Sequence, residues 1–233
     1  MNVLITGGTG SLGKTLIKEF VNDNDVYFTY YKNEEEAIML EKKYNAKKLT
    51  IEEVSDYNYD IIINNAGISG DIVPFEKISL ENFNKVFEIN VTIPFKIIRD
   101  NLEYMKENNH GRIINVSSIY ALKAEVDLGA FNTSKSALIG LTRSVTKEYA
   151  KYNITANVVL PGTFESDVSN KFADIYANDE EAKKEYYEWM TESIPAGRLG
   201  TTKEIASLIK FLSSQDASYI NGAIIPIDGG YSA

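Results

Sequence analysis

Short apolar runs alternate with amphipathic stretches along nearly the whole chain. Apolar-rich runs at 3–5, 26–31, 48–54, 60–64, 112–116 and 154–160 read as strands, and 219–231 as a last strand with a glycine-rich exit. Between them, 14–21, 34–44, 80–108, 131–152 and 203–213 repeat apolar residues at helical spacing. In 80–108 one face carries Phe83, Val86, Phe87, Val91, Phe95 and Ile98, interrupted by Asn90. In 131–152 the stripe is Ala137, Leu141, Val145 and Tyr149, a core or subunit face. Strands alternating with helices predict an α/β fold with a largely parallel sheet. One junction does not fit: residues 55–59 are too few for a crossover helix, so either a loop replaces it or the strand assignment near Ile51 is off.

The first strand runs into Thr6-Gly7-Gly8-Thr9-Gly10-Ser11-Leu12-Gly13 and then a helix. Strand, glycine turn and helix in this order open a dinucleotide-binding unit. Glycines turn the chain tightly and bring backbone N–H groups against a pyrophosphate, where the helix N-terminus adds partial positive charge. An acid ending the second strand would bind ribose hydroxyls, whereas a base tolerates a 2'-phosphate. The chain offers Tyr30, Tyr31, Lys32 and Asn33 there, with no acid until Glu34, which favours NADP(H) over NAD(H). A solvated loop charge is the other reading of Lys32.

The chain has 233 residues, long enough for one substantial core, and with 44% apolar and 24% charged residues its composition is that of a globular protein. A net charge of -9 argues against non-specific nucleic-acid binding and leaves small molecules as the expected partners. There is no cysteine and one histidine, His110, in the polar run 106–110 that reads as a surface loop, so neither a thiolate nor a histidine-cluster metal site is expected. Neither a signal peptide nor an apolar run long enough to span a bilayer is visible, which points to a soluble, cytoplasmic protein.

The chemistry concentrates at Ala130-Phe131-Asn132-Thr133-Ser134-Lys135, on the first turns of a long helix, with Ser117 and Ser118 ending the strand before it. Phe131 and Lys135, four apart, share one helical face. This segment, the glycine turn, Asn64-Asn65-Ala66-Gly67 after the fourth strand, Pro161-Gly162-Thr163 after the sixth and the glycine-rich ending together resemble the short-chain dehydrogenase/reductase family, the ending its 3-oxoacyl-carrier-protein reductase branch. The resemblance covers nearly the whole chain. It implies a Rossmann-type doubly wound sheet of about seven mostly parallel strands with helices on both faces, in one domain over 1–233 with a substrate lid at about 165–200 that holds the only tryptophan, Trp189. It also implies a nicotinamide dinucleotide held by Gly7, Thr9, Gly10, Ser11, Leu12, Gly13, Tyr31, Lys32, Asn65, Ala66, Gly67, Lys135, Pro161, Gly162 and Thr163, with Phe164 and Ser166 near the carboxamide. Asn90, Ser118, residue 131 and Lys135 take the catalytic positions. The expected substrate is a ketone, a secondary alcohol or a 3-oxoacyl thioester, and the expected assembly a homotetramer or dimer.

The family has Tyr where this chain has Phe131. That phenol gives a proton to the carbonyl oxygen, and the lysine ammonium lowers its pKa from about 10. Three readings stand. The chain is a Tyr-to-Phe variant of a working reductase; or Phe131 is native and another acid serves, Tyr120 or a water held by Lys135 and Asn90; or the protein binds a dinucleotide or partner without catalysis.

Overall fold

The computed structural model describes residues 1–166 and 179–233. Among them, seven strands form one sheet in the order β3-β2-β1-β4-β5-β6-β7, with every neighbouring pair parallel. The strands are β1 (Asn2–Ile5), β2 (Asp25–Thr29), β3 (Lys47–Leu49), β4 (Ile61–Asn64), β5 (Gly111–Val116), β6 (Ile154–Pro161) and β7 (Ile224–Ile227). The helices are α1 (Ser11–Phe20), α2 (Glu34–Tyr44), α3 (Leu80–Phe87), α4 (Ile93–Glu107), α5 (Gly129–Tyr149), α6 (Glu180–Glu192) and α7 (Thr202–Leu212).

Strand side chains alternate between two buried faces, as a doubly covered sheet requires. Val3, Ile5, Ile61 and Ile63 pack with Leu16, Ile17 and Phe20 of α1 and Ile205 and Ile209 of α7. Leu4 and Ile62 pack on the other face with Ile97 and Ile98 of α4 and Val145 of α5. This is the doubly wound fold expected. The strand order reverses between β1 and β4, and ligands of such sheets sit at the carboxyl ends beside that reversal.

Four expectations are corrected. The third strand stops at Leu49, and a 3-10 helix, Glu52–Asp56, occupies the short connection in place of a crossover α-helix. The amphipathic stretch 80–108 is two α-helices joined by a π turn, Glu88–Thr92, centred on the buried Asn90. The extra residue of that turn shifts the helical phase, so Pro94, Ile97 and Ile98 face inward and Phe95, expected on the apolar face, is exposed. His110 lies on the loop between α4 and β5 as expected but is half-buried there, and burial lowers its pKa. The last strand keeps only Ile224–Ile227 of the stretch 219–231. Of the lid stretch, 167–178 lie outside the described residues, and Trp189 is exposed on α6.

Candidate active site

The glycine turn follows β1 directly. Gly7 has φ +70°, a conformation that favours glycine, and donates its N–H to Thr29 Oγ1 at 3.0 Å. A Cβ on Gly13 would lie 2.2 Å from the Gly7 carbonyl oxygen, so α1 presses its first turn onto the loop with no room for a side chain. At Gly10 a Cβ would meet only the Gly7 oxygen, at 3.4 Å, and Gly10 caps α1 with no side-chain hydrogen bond. The result is an open helix N-terminus lined by backbone amides, a fit for a phosphate group. Thr9 and Ser11 flank the opening, part-exposed, while Leu12 is buried beneath it.

Asn65 does something the motif does not announce. Its Nδ2 donates to the carbonyls of Thr6 at 2.9 Å and Gly7 at 3.3 Å, while Thr6 Oγ1 accepts the amides of Asn65 and Ala66. The Asn65 amide group therefore staples the end of β4 to the glycine turn. Beneath it, Asn64 donates to Asn115 at 2.8 Å and Asn115 to Thr142 at 2.9 Å, a buried chain tying β4 to β5 and α5. Tyr31 and Lys32 stand exposed beyond β2, with the Lys32 ammonium 5.4 Å from the Tyr31 ring centroid. Pro161 is buried, and Gly162 lies so close to Asp228 that a Cβ there would come within 2.7 Å of the Asp228 Cβ; Thr163 and Phe164 follow, half-buried.

The second half of the site is built where β5 ends and α5 begins. Lys135 is 5% exposed, and its Nζ donates to the Val116 carbonyl at 2.9 Å. Ser117 Oγ donates to the Lys135 carbonyl at 2.8 Å, so the lysine is held at both its backbone and its head. Burial lowers the Lys135 pKa from 10.5 to about 8. Ser118 closes the strand, partly exposed, and its Oγ accepts the Tyr120 N–H at 3.2 Å. The Lys135 Nζ sits 5.6 Å from the centroid of the Phe131 ring.

Asn90 joins three segments. Its Oδ1 accepts the Ile68 N–H and its Nδ2 donates to the Ile68 carbonyl, each at 2.9 Å, and Nδ2 also donates to Ser134 Oγ at 2.9 Å. Ser134 in turn donates to the Phe131 carbonyl at 2.8 Å. A Cβ on Gly67 would lie 3.1 Å from Lys135 Nζ and 3.3 Å from Asn90 Oδ1, so both polar atoms border the bare face of one exposed glycine. Asn90, Lys135, Phe131 and Gly67 are thus neighbours, although 68 positions separate the extremes of the group in sequence (135 − 67). Thr29 escaped the sequence reading, and Ser117, Ser134 and Thr6 were named there only as members of their segments, without the hydrogen bonds they make.

A glycine turn with an open helix N-terminus beside the strand-order reversal is where a doubly wound sheet holds a dinucleotide, and the buried Lys135 stands at the carboxyl end of the same sheet. The family model described as Enoyl-(Acyl carrier protein) reductase matches residues 41–232. The 3-oxoacyl-[acyl-carrier-protein] reductase of Aquifex aeolicus (strain VF5) is 34% identical over 228 residues, covering 98% of this chain and 86% of the relative. Among solved structures, ElxO with NADP bound superposes with a TM-score of 0.86 at 30% identity, covering 99% of this chain and 98% of the other. A 4-hydroxyisoleucine dehydrogenase complexed with NADH superposes at 0.87 and 26% identity, covering 99% and 98%. The chain belongs to the short-chain dehydrogenase/reductase family of NAD(P)-dependent oxidoreductases.

Proposed function

We propose that this single-domain chain is a reductase of ketones or 3-oxoacyl thioesters whose turnover is held down by Phe131. The observation that carries the reading is the position of Phe131: the Lys135 Nζ lies 5.6 Å from its ring centroid and its backbone is held through Ser134 and Asn90. The open N-terminus of α1 would hold the pyrophosphate, and Lys135 the nicotinamide ribose. A bound dinucleotide supplies or accepts hydride. Ser118 Oγ would donate a hydrogen bond to the substrate oxygen as charge develops there. With no acid at 131, general acid catalysis falls by roughly 10²- to 10⁴-fold.

Lys32 supports NADP(H) over NAD(H), since no acid precedes Glu34 and Glu34 is itself paired with Lys48 at 3.2 Å. The Aquifex relative supports the 3-oxoacyl substrate. The resemblance of the long Asn90 and Phe131 helices to those the family pairs supports a homotetramer or dimer, as does exposed Phe95 on α4, and gel filtration showing a monomer would remove that part. The stretch about 165–200 would serve as the substrate lid. No helix among the described residues is long and apolar enough to cross a membrane, which agrees with a cytoplasmic reductase. The test is NADPH and NADH oxidation, followed by absorbance, over a panel of ketones and 3-oxoacyl thioesters. Slow turnover with at least one of them, with NADPH preferred, is expected; binding of neither dinucleotide would end this reading.

A further inference from the structure

Two consecutive peptide planes open the glycine turn, and each is held at both ends. The N–H of the Thr6–Gly7 plane donates to Thr29 Oγ1 at 3.0 Å, and its carbonyl accepts from Asn65 Nδ2 at 2.9 Å. The N–H of the Gly7–Gly8 plane donates to the Thr29 carbonyl at 2.8 Å, and its own carbonyl accepts from the Gly10 N–H at 3.2 Å and Asn65 Nδ2 at 3.3 Å. Thr29 ends β2 and is 5% exposed, so one buried residue takes both amides with its two oxygens. Resting on the dinucleotide half of the reductase reading, we propose that Thr29 is a positioning residue for the pyrophosphate. Its hydroxyl acts through Gly7 and aims the turn and the open N-terminus of α1 at the ligand.

The coupling runs through the Gly7 carbonyl oxygen, on which α1 lands. A Cβ on Gly13 would lie 2.2 Å from that oxygen and one on Gly10 3.4 Å, so a rotation of the Gly7–Gly8 plane moves the first turn of α1, whose amides meet a phosphate. The turn has no slack elsewhere. A Cβ on Gly7 would come within 3.0 Å of the Ala66 Cα, and one on Gly8 within 2.4 Å of the Phe28 ring. The bond to the Thr29 carbonyl is backbone and survives any substitution at 29. The bond to Oγ1 exists only with a hydroxyl there. Without it the Gly7 N–H loses its acceptor and must turn towards water, carrying its plane with it. Lys32 follows on the same strand end, so this edge of β2 would act twice: Thr29 on the pyrophosphate common to both dinucleotides, Lys32 on the 2'-phosphate of one.

The unsubstituted chain, T29V, T29A and T29S decide this. Each is shown to be folded by circular dichroism, then titrated with NADPH and with NADH by fluorescence. T29V keeps the side-chain shape and removes the acceptor. T29A and T29S differ by the hydroxyl alone, so that pair decides if T29V does not fold. The proposal expects both dinucleotides to bind about tenfold more weakly to T29V and T29A, with their affinity ratio unchanged, and T29S to restore binding to within about twofold. In the dinucleotide-free protein, the Gly7 amide should exchange with solvent faster in T29V and T29A and stay protected in T29S. Undiminished binding by T29V and T29A, an equal loss in T29S, or a loss for NADPH alone overturns the proposal and leaves the reductase reading standing. If the unsubstituted chain binds neither dinucleotide, the reductase reading falls and the proposal with it.

Discussion

Lys135 holds its Nζ 5.6 Å from the centre of the Phe131 ring, and the same Nζ is bonded to the Val116 carbonyl at the end of β5. The two residues occupy consecutive turns of one helix face, so their spacing follows from α5, while the strand fixes the lysine head. A ring with no hydroxyl leaves the lysine without the phenolate that would share its charge. What remains is a buried cation held by a neutral carbonyl.

That cation costs stability. Its pKa falls from 10.5 to about 8 on folding, so below pH 8 both folded and unfolded chains are charged and the full cost applies. Between pH 8 and 10.5 the unfolded chain binds more protons, and stability climbs with pH. K135M should therefore be more stable than the unsubstituted chain at pH 7, by on the order of 3 kcal/mol. The gain should vanish above about pH 10.5. Urea unfolding of both forms at several pH values checks this; a less stable K135M at pH 7 would contradict it.

The glycine turn is the part of the fold with least slack. A methyl at residue 13 would lie 2.2 Å from the Gly7 oxygen and 2.8 Å from the Gly8 Cα, both backbone atoms. G13A should lose about 1–3 kcal/mol or more, and should lose NADPH binding in a fluorescence titration. A G13A protein that melts and binds like the unsubstituted chain would mean that α1 and the turn can separate freely.

Asn90 is the residue whose loss should spread furthest. N90A leaves both the N–H and the carbonyl of Ile68 without the side chain they now pair with, and frees Ser134 from one partner. A cost of about 2–4 kcal/mol is expected, with the first turn of α5 loosened around Phe131. Thermal melts and amide exchange of 130–135 measure the two effects, and unchanged exchange there would break the link drawn between Asn90 and α5.

The sheet and its helices were legible in the sequence because buried parallel strands and amphipathic helices carry their own periodicities. Val3-Leu4-Ile5 and Ile61-Ile62-Ile63 are apolar throughout since both faces of the sheet are covered. Phe95 was misread because a π turn inserts one residue of phase that no local apolar pattern reveals. The roles of Ser117, Thr29 and Ser134 were hidden for another reason: their hydroxyls bond to backbone or to groups far away in sequence, Ser117 to the Lys135 carbonyl, Thr29 to Gly7 and Ser134 to Asn90, and a lone Ser or Thr signals nothing of that. The segment holding Phe131 and Lys135 stood out because its spacing is fixed by one helix.

Lys32 is the exposed base nearest the end of β2. If it meets a 2'-phosphate, the charge-assisted bond is worth about 1.5–3 kcal/mol, so K32E should shift the NADPH to NADH affinity ratio by about 10- to 100-fold towards NADH. Paired titrations with the two dinucleotides read this directly. An unchanged ratio would assign Lys32 to the solvated loop alone.

The central claim is that this site is that of a reductase lacking its phenol, and the most direct measurement is the turnover of F131Y against the Phe131 chain. Both proteins are first shown to bind NADPH alike, then compared at pH 7 on the same ketones and acetoacetyl thioester. The account predicts equal binding and a rise in turnover of roughly 10²- to 10⁴-fold. Equal turnover of the two forms, or none in F131Y with NADPH bound, would contradict it.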